Sequence, residues 1–312
     1  MTGRFAPSPT GRMHLGNVFC ALLSWLSAKS QGGEWRLRIE DLDPQRSRRD
    51  YALQLQEDLL WLGLPWDGEV VWQSERSDIY EHYLQLLKEA GLTYPCFCTR
   101  ADIMATQAPH ETDGRIVYAG TCRGKTPPPW GRSGGGCAAA IRFIVPDEVI
   151  SFHDGHYGEQ QVNLAQHCGD YILRRKDGAW AYQLAVVVDD ALMGVTEVVR
   201  GRDLLLSTPQ QLHLRQTIES LSSLPNGGVR GDLHFFHHPL LINENGQRLC
   251  KRDRSMDLGV LREKHISPQE IIGHLAFLAG IIPEPTPTLP SDLLPLFAWQ
   301  KVPTEDIALP SL

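Results

Sequence analysis

The stretch Arg4-Phe5-Ala6-Pro7-Ser8-Pro9-Thr10-Gly11-Arg12-Met13-His14-Leu15-Gly16-Asn17 limits what this chain can fold into more than any other part of it. It starts apolar, passes two prolines and a glycine, and opens into a helical pattern. Pro7 and Pro9 fix φ and remove two backbone donors, so Pro7 to Gly11 is expected as a rigid turn, neither helix nor central strand. From Asn17 to Ser30, Val18, Phe19, Leu22, Leu23, Trp25 and Leu26 recur at helical spacing until Gly32-Gly33 stops the run. Glu34 to Glu40 then alternates, with Trp35, Leu37 and Ile39 on one face and Arg36, Arg38 and Glu40 on the other, the pattern of a strand. Strand, turn, helix and strand make a βαβ unit, whose ligand belongs at the carboxyl ends of the strands. Glu40 reaches that rim.

His14-Leu15-Gly16-Asn17 stands at the mouth of the helix, where free N–H groups and the helix dipole suit a polyphosphate. Gly16 lets a flat ring approach the backbone, and His14 can donate to a phosphate oxygen as charge builds. The whole string resembles the signature of class I aminoacyl-tRNA synthetases, with His14 to Asn17 as the "HIGH" tetrapeptide. Arg4 to Gly11 is similar to the glutamate-specific branch of that family. Glu40-Asp41-Leu42-Asp43 and Arg46 look like the family's continuation of the first half-fold. Ser47-Arg48-Arg49-Asp50 reads as a capping box for a helix ending near Gly63, and Ser77 to Ala90 as an amphipathic helix closed by Gly91.

The composition changes at Tyr94. Cys96-Phe97-Cys98 and, after a polar loop, Tyr118-Ala119-Gly120-Thr121-Cys122 bracket an insertion. Three thiolates leave one position of a tetrahedral structural zinc site to be closed. His110 is the commoner kind of ligand for it, whereas the resemblance implies Tyr118, four residues before the last cysteine. Seven cysteines in odd number without a regular framework point to a reducing cytoplasm. Ala138 to Val145 and Ile150 to Phe152 look like strands of the insert, and Asp170 to Gly178 like a strand ending in a basic hairpin turn.

The main fold resumes at Ala181 to Asp190, whose near-continuous apolar run suits a strand buried on both faces. Arg200, Gly201 and Asp203 fall at a later strand end, on the same rim as Glu40, and Ser207-Thr208-Pro209 opens a helix. The resemblance assigns Arg4, Arg200, Tyr182 and Glu40 to the amino acid, and these residue types suit one with a second carboxylate: two arginines to fork onto carboxylates and one carboxylate for the α-ammonium. Which arginine takes which carboxylate stays open. Gly246-Gln247-Arg248-Leu249-Cys250-Lys251-Arg252 resembles the second class I signature, "KMSKS", with Arg248 at its first lysine, Cys250 at its serine and Lys251 kept. A cation remains at each end, so ATP handling is expected to be retained in altered form.

The resemblance extends over nearly the full length, to the glutamyl-queuosine tRNA(Asp) synthetases, short paralogues of the catalytic half of glutamyl-tRNA synthetase. It implies an α/β fold: a Rossmann-like parallel sheet in two halves (1–93 and 181–245), an inserted zinc-containing α+β subdomain (94–180), and a loop with a short helical tail (246–312) in place of an anticodon-binding domain. It implies activation of L-glutamate by ATP with Mg²⁺, without tRNA, and transfer to the queuosine of tRNA(Asp). The implied catalytic residues are His14 and Lys251. Arg4, Phe5, Ala6, Pro7, Ser8, Glu40, Tyr182 and Arg200 would hold glutamate. His14, Gly16, Asn17, Gly201, Asp203, Arg248 and Lys251 would hold ATP, and Cys96, Cys98, Tyr118 and Cys122 structural Zn²⁺. A cytoplasmic monomer is expected. The net charge of −7 argues against a globally basic binder while leaving room for a local basic face, and no apolar run is long enough to span a membrane. Three rivals predict other behaviour: a minimal glutamyl-tRNA synthetase acting on a tRNA 3′ end, a non-catalytic tRNA-binding paralogue, and a small-molecule nucleotidyltransferase. The last explains neither Arg4 to Gly11 nor Tyr182 with Arg200.

Overall fold

The computed structural model describes residues 1–105, 117–125, 139–222, 233–243, 246 and 257–309. The chain opens with β1 (Thr2–Phe5), α1 (Leu15–Ser30), β2 (Glu34–Ile39), α2 (Arg49–Trp61), β3 (Val71–Trp72) and α3 (Ser77–Glu89). β1, β2 and β3 are parallel, with Arg4 opposite Arg36 and Phe5 opposite Leu37. Next come β4 (Thr93–Cys96), α4 (Arg100–Ala105), β5 (Ala140–Phe143), the hairpin β6 (Val149–Asp154) and β7 (Gly158–Asn163), α5 (Leu164–His167) and β8 (Tyr171–Arg174). β4, β5 and β8 form a separate antiparallel sheet. The hairpin instead joins β9 (Glu197–Gly201) and β10 (His234–His238) in the order β7-β6-β10-β9, with β10 parallel to both its neighbours. β9 also runs beside β1, where Thr196 N donates to Thr2 O (2.9 Å). The ends of β1, β2, β9 and β10 therefore share one rim.

Several expectations are corrected. Tyr182–Leu192 is a helix, α6, not a strand. Leu184 to Asp190 are buried without a break, so the helix is covered on all sides, and an all-apolar run has no period to distinguish it from a central strand. The capping box at Ser47 does not form. Arg48 is the N-cap of α2 without a side-chain capping bond, and Ser47 Oγ is buried with no partner. Arg38 does not share the semi-exposed face of Arg36; it is fully buried. α1 starts at Leu15 rather than Asn17, because His14 and Asn17 cap it reciprocally.

After α7 (Thr208–Leu221) and β11 (Leu241–Ile242), the chain ends in α8 (Leu258–Glu263), α9 (Pro268–Leu278), α10 (Pro290–Leu293) and β12 (Ile307–Ala308). Ser267 and Glu270 make the capping box that opens α9. This tail is part of the main core. Ile271, Ile272, Leu275, Leu293 and Trp299 pack with Leu22, Leu26, Trp35 and Leu37, and Trp299 Nε1 donates to Ser27 Oγ (3.0 Å). β12 pairs with β11. Among the described residues, no helix is long and apolar enough to cross a membrane.

Candidate active site and cysteine cluster

Every described residue expected to meet glutamate or ATP lines one cavity of about 480 Å³: Arg4 to Ser8, His14, Gly16, Asn17, Glu40, Tyr182, Arg200, Gly201 and Asp203. The proline turn shapes its floor. Pro7 and Pro9 lack donors, but their carbonyls accept from Glu40 N and Arg48 N (both 3.0 Å), which fixes the turn to the end of β2 and the start of α2. The same bond sets Glu40 beside the turn.

His14 Nδ1 accepts from Gly16 N (3.1 Å), while Asn17 Oδ1 accepts from His14 N (3.2 Å). A Cβ on Gly16 would come within 3.0 Å of the His14 ring, so the glycine makes room for the imidazole. That is a different reason from the approach of a flat ligand ring. At Gly201 a Cβ would lie 2.4 Å from Asp203 Oδ1, so this glycine lets Asp203 fold back against the strand end. Arg248, Cys250 and Lys251 lie outside the described residues. The residues on either side of that segment stand at the cavity: Leu241 lines it, and Asp257 bridges to His14.

A buried charge network that the sequence did not reveal underlies the rim. Arg38 Nη1 donates to Asp190 Oδ1 (2.5 Å) and Nη2 to Glu40 Oε1 (3.2 Å), while Arg4 Nε reaches the same Asp190 oxygen (3.4 Å) and Arg4 Nη1 reaches Val199 O (3.2 Å). Burial works to raise the Asp190 carboxyl, but Arg38 and Arg4 hold it below the usual range. Burial prevails at Glu40, whose carboxyl is raised despite Arg38 and Arg4. Asp189 accepts from Gln73 (2.8 Å), Arg76 (2.7 Å) and Tyr80 (2.7 Å), which anchors α6 to α3.

Arg200 is 4% exposed, and its hydrogen-bond acceptors are all neutral: His237, Gln211, Thr208, Tyr182 and the Leu204 carbonyl. Burial pushes its guanidinium below the usual value, since no carboxylate touches it among the described residues. A buried cation held only by dipoles is a place for an anion. Of these partners, Tyr182 alone was expected from the sequence; His237 and Thr208 lie 37 and 8 residues away and carry no motif of their own.

The cysteine cluster lies apart from this cavity. The sulfurs of Cys96, Cys98 and Cys122 are all within 4.8 Å of one another. Tyr118 Oη sits against them, 3.4 Å from Cys96 Sγ and 3.5 Å from Cys98 Sγ, and accepts from Cys122 N (2.9 Å). Burial raises the Cys122 thiol, yet donors at Phe97 N, Tyr118 and the other thiols outweigh it and bring it down to about 7. The group can hold a metal ion; His110 lies outside the described residues. The basic turn is engaged within the protein: Arg174 pairs with Glu81, Arg175 with Asp177, and Lys176 donates to Phe97 O (2.6 Å). A second cavity, of about 740 Å³, runs from the cysteines past Arg142 and Lys176 to Tyr182, which borders both spaces.

The family described as tRNA synthetases class I (E and Q), catalytic domain, matches residues 1–286. The chain is 44% identical over 322 residues to the Glutamyl-Q tRNA(Asp) synthetase of Symbiobacterium thermophilum, covering 100% of this chain and 96% of that protein. It is 43% identical over 320 residues to that of Nitratidesulfovibrio vulgaris, covering 99% and 95%. A crystal structure of a glutamate tRNA ligase from Elizabethkingia meningosepticum, in complex with its amino acid, has a TM-score of 0.79 at 26% identity over 100% of this chain and 67% of that one. With Arg4, His14, Gly16, Asn17, Glu40 and Arg200 gathered around one cavity, this chain belongs to the class I (E and Q) tRNA synthetases, within the glutamyl-Q tRNA(Asp) synthetase family.

Proposed function

We propose that this chain activates glutamate with ATP, without tRNA, and transfers it to the queuosine of tRNA(Asp). The observation that carries the amino-acid half is Arg200, a buried guanidinium with neutral partners, facing a cavity that also holds Arg4, Tyr182 and Glu40. Arg200 and Arg4 bind the two carboxylates, Tyr182 and Phe5 to Ser8 complete the wall, and Glu40 takes the α-ammonium. His14, Gly16, Asn17, Gly201, Asp203, Arg248 and Lys251 bind the nucleotide. A glutamate carboxylate oxygen bonds to the α-phosphorus as the bond to the leaving pyrophosphate breaks; one hydroxyl of the queuosine cyclopentene-diol then displaces AMP. His14 and Lys251 contribute charge stabilisation at the phosphates, so catalysis is positioning plus electrostatics. Mg²⁺ would accompany ATP and supply positive charge against its phosphates.

Cys96, Cys98, Cys122 and Tyr118 would hold a structural Zn²⁺, supplying three thiolates and one oxygen as ligands. The second cavity beside Tyr182 suits a nucleotide splayed out of an anticodon loop, the form in which single-stranded RNA is generally read. The chain works in the cytoplasm as a monomer. The test is a pair of small RNAs: an anticodon stem-loop carrying queuosine should accept glutamate, and its guanosine counterpart should not. Transfer to a minihelix ending in CCA, with none to the queuosine stem-loop, would favour a minimal glutamyl-tRNA synthetase instead. No glutamate-dependent pyrophosphate exchange would favour a non-catalytic paralogue.

A further inference from the structure

Arg200 donates in two directions. Away from the cavity, Nε, Nη1 and Nη2 make bonds of 3.0, 2.7 and 2.7 Å to His237 Nε2, Gln211 Oε1 and Thr208 Oγ1, none of which lines the cavity. Toward it, Nη1 and Nη2 make two contacts of 3.4 Å, to Tyr182 Oη and Leu204 O, both on lining residues. Good N–H···O bonds are shorter, about 2.7–3.2 Å, so the front contacts are the ones an incoming carboxylate can replace. The rear contacts fix where the guanidinium stands.

The rear bond to His237 depends on which ring nitrogen carries the proton. His237 Nδ1 lies 2.6 Å from Asp154 Oδ2, and both side chains are fully buried. An ionised carboxylate only accepts, so the proton is on Nδ1 and Nε2 is left to accept from Arg200. Asp154 is itself held by backbone N–H groups of His156 (3.0 Å), Tyr157 (2.8 Å) and His237 (3.2 Å). Burial drives the His237 pKa down to about 4 against the pull of Asp154, so the ring is neutral at pH 7. A hairpin turn, a strand end and the cavity are thereby joined through three side chains.

We propose that Asp154 and His237 are a positioning pair for Arg200, holding its guanidinium with the front edge set to receive a substrate carboxylate. The proposal rests on the glutamate-activating reading. Asp154→Asn keeps the shape but presents an amide donor to Nδ1, which favours the proton on Nε2 and sets it against Arg200 Nε, donor to donor. His237→Ala removes the acceptor, and His237→Gln restores one at about the right reach. Partners behind metal-ligating histidines are worth about 10–100-fold in affinity, and the arrangement here is comparable.

The experiment is glutamate-dependent exchange between pyrophosphate and ATP, with thermal unfolding of each variant beside it. Asp154→Asn and His237→Ala should raise the glutamate KM by about 10–100-fold, with the ATP KM and the kcat at saturating glutamate within about threefold of wild type. His237→Gln should recover most of the loss. An unchanged glutamate KM, or equal losses toward glutamate and ATP, would overturn the proposal. So would failure of both residues' variants to fold, which would make the pair a structural brace. The wild-type chain is assayed first. If it shows no glutamate-dependent exchange, the glutamate reading fails and takes this proposal with it; if it does, the variants judge the pair alone.

Discussion

Arg36 and Arg38 lie on β2 and Arg200 on β9, and replacing each with leucine should give three different outcomes. Arg200→Leu removes the cation behind the front contacts to Tyr182 and Leu204 while leaving the sheet intact. Truncating one member of a desolvated charge pair costs about 2–5 kcal/mol, so the glutamate requirement should rise roughly 30- to 5,000-fold. Arg38→Leu strands two carboxylates, since Asp190 loses its 2.5 Å partner and Glu40 its 3.2 Å one. Breaking a buried pair costs about 3–5 kcal/mol, enough to appear as a large fall in Tm whatever happens to catalysis. Arg36 pairs with Glu34 near the surface, a pairing worth about 0–1 kcal/mol, and its loss should be near silent. Pyrophosphate exchange across a glutamate titration, with calorimetry on the same preparations, separates the three. If Arg200→Leu raised the glutamate KM less than about threefold in a folded protein, the rim assignment would be refuted.

Cys122→Ser should lower bound zinc from one equivalent and destabilise the β4–β5–β8 sheet while leaving the glutamate KM unchanged; metal analysis that finds no zinc in wild-type protein purified without chelator would remove this site. Lys251→Ala should slow adenylate formation by about 10²–10³-fold, by analogy with a lost oxyanion donor, with little change in glutamate binding; near-normal exchange would show that the loop is misaligned with its signature. Stability should fall as the pH is lowered. His237 and His238 are both driven by burial to about 4 from 6.5, so between these values the unfolded chain binds up to two more protons at these residues than the folded one, and His213 and His274, also lowered by burial, act in the same direction. His237 and His238 together then lower stability by as much as about 2.7 kcal/mol per pH unit on acidification through that window, with Glu40, Asp58 and Glu197, whose carboxyls are raised, opposing it. A midpoint of urea unfolding that stays flat from pH 7 to pH 5 would contradict this.

The local features of the site were legible because their causes are local. The two prolines dictated the turn, the alternation in Glu34 to Ile39 dictated β2, and the cysteine spacing marked the cluster. Tyr182–Leu192 was misread because burial on all sides erases the helical period. Arg38 was misplaced for a related reason: alternation says which face a residue occupies, not that Asp190, 152 positions later, will be waiting there. The partners of Arg200 are long-range in the same way. His237 and Asp154 are 83 residues apart, on strands that meet only once the parallel sheet is assembled.

The tail's pairing has a temporal consequence. β12 lies along β11, and Asp306 accepts from Leu240 N (2.9 Å) and from Arg202 Nε (2.5 Å), one residue past the strand that carries Arg200. The hairpin tip is tied to the same segment, through His156 Nε2 to Pro303 O (3.0 Å) and Tyr157 Oη to Thr304 O (2.7 Å). Synthesis proceeds from the amino terminus at about 5–20 residues per second, so the strands of this wall emerge several seconds before their clamp. During that interval Leu240, Leu241 and the Asp154 turn lack the contacts that hold them. A ribosome-bound chain halted before residue 299 should therefore have its proline turn and first helix in place and yet fail to retain nucleotide, competence arriving only once Pro303, Thr304 and Asp306 have joined the wall.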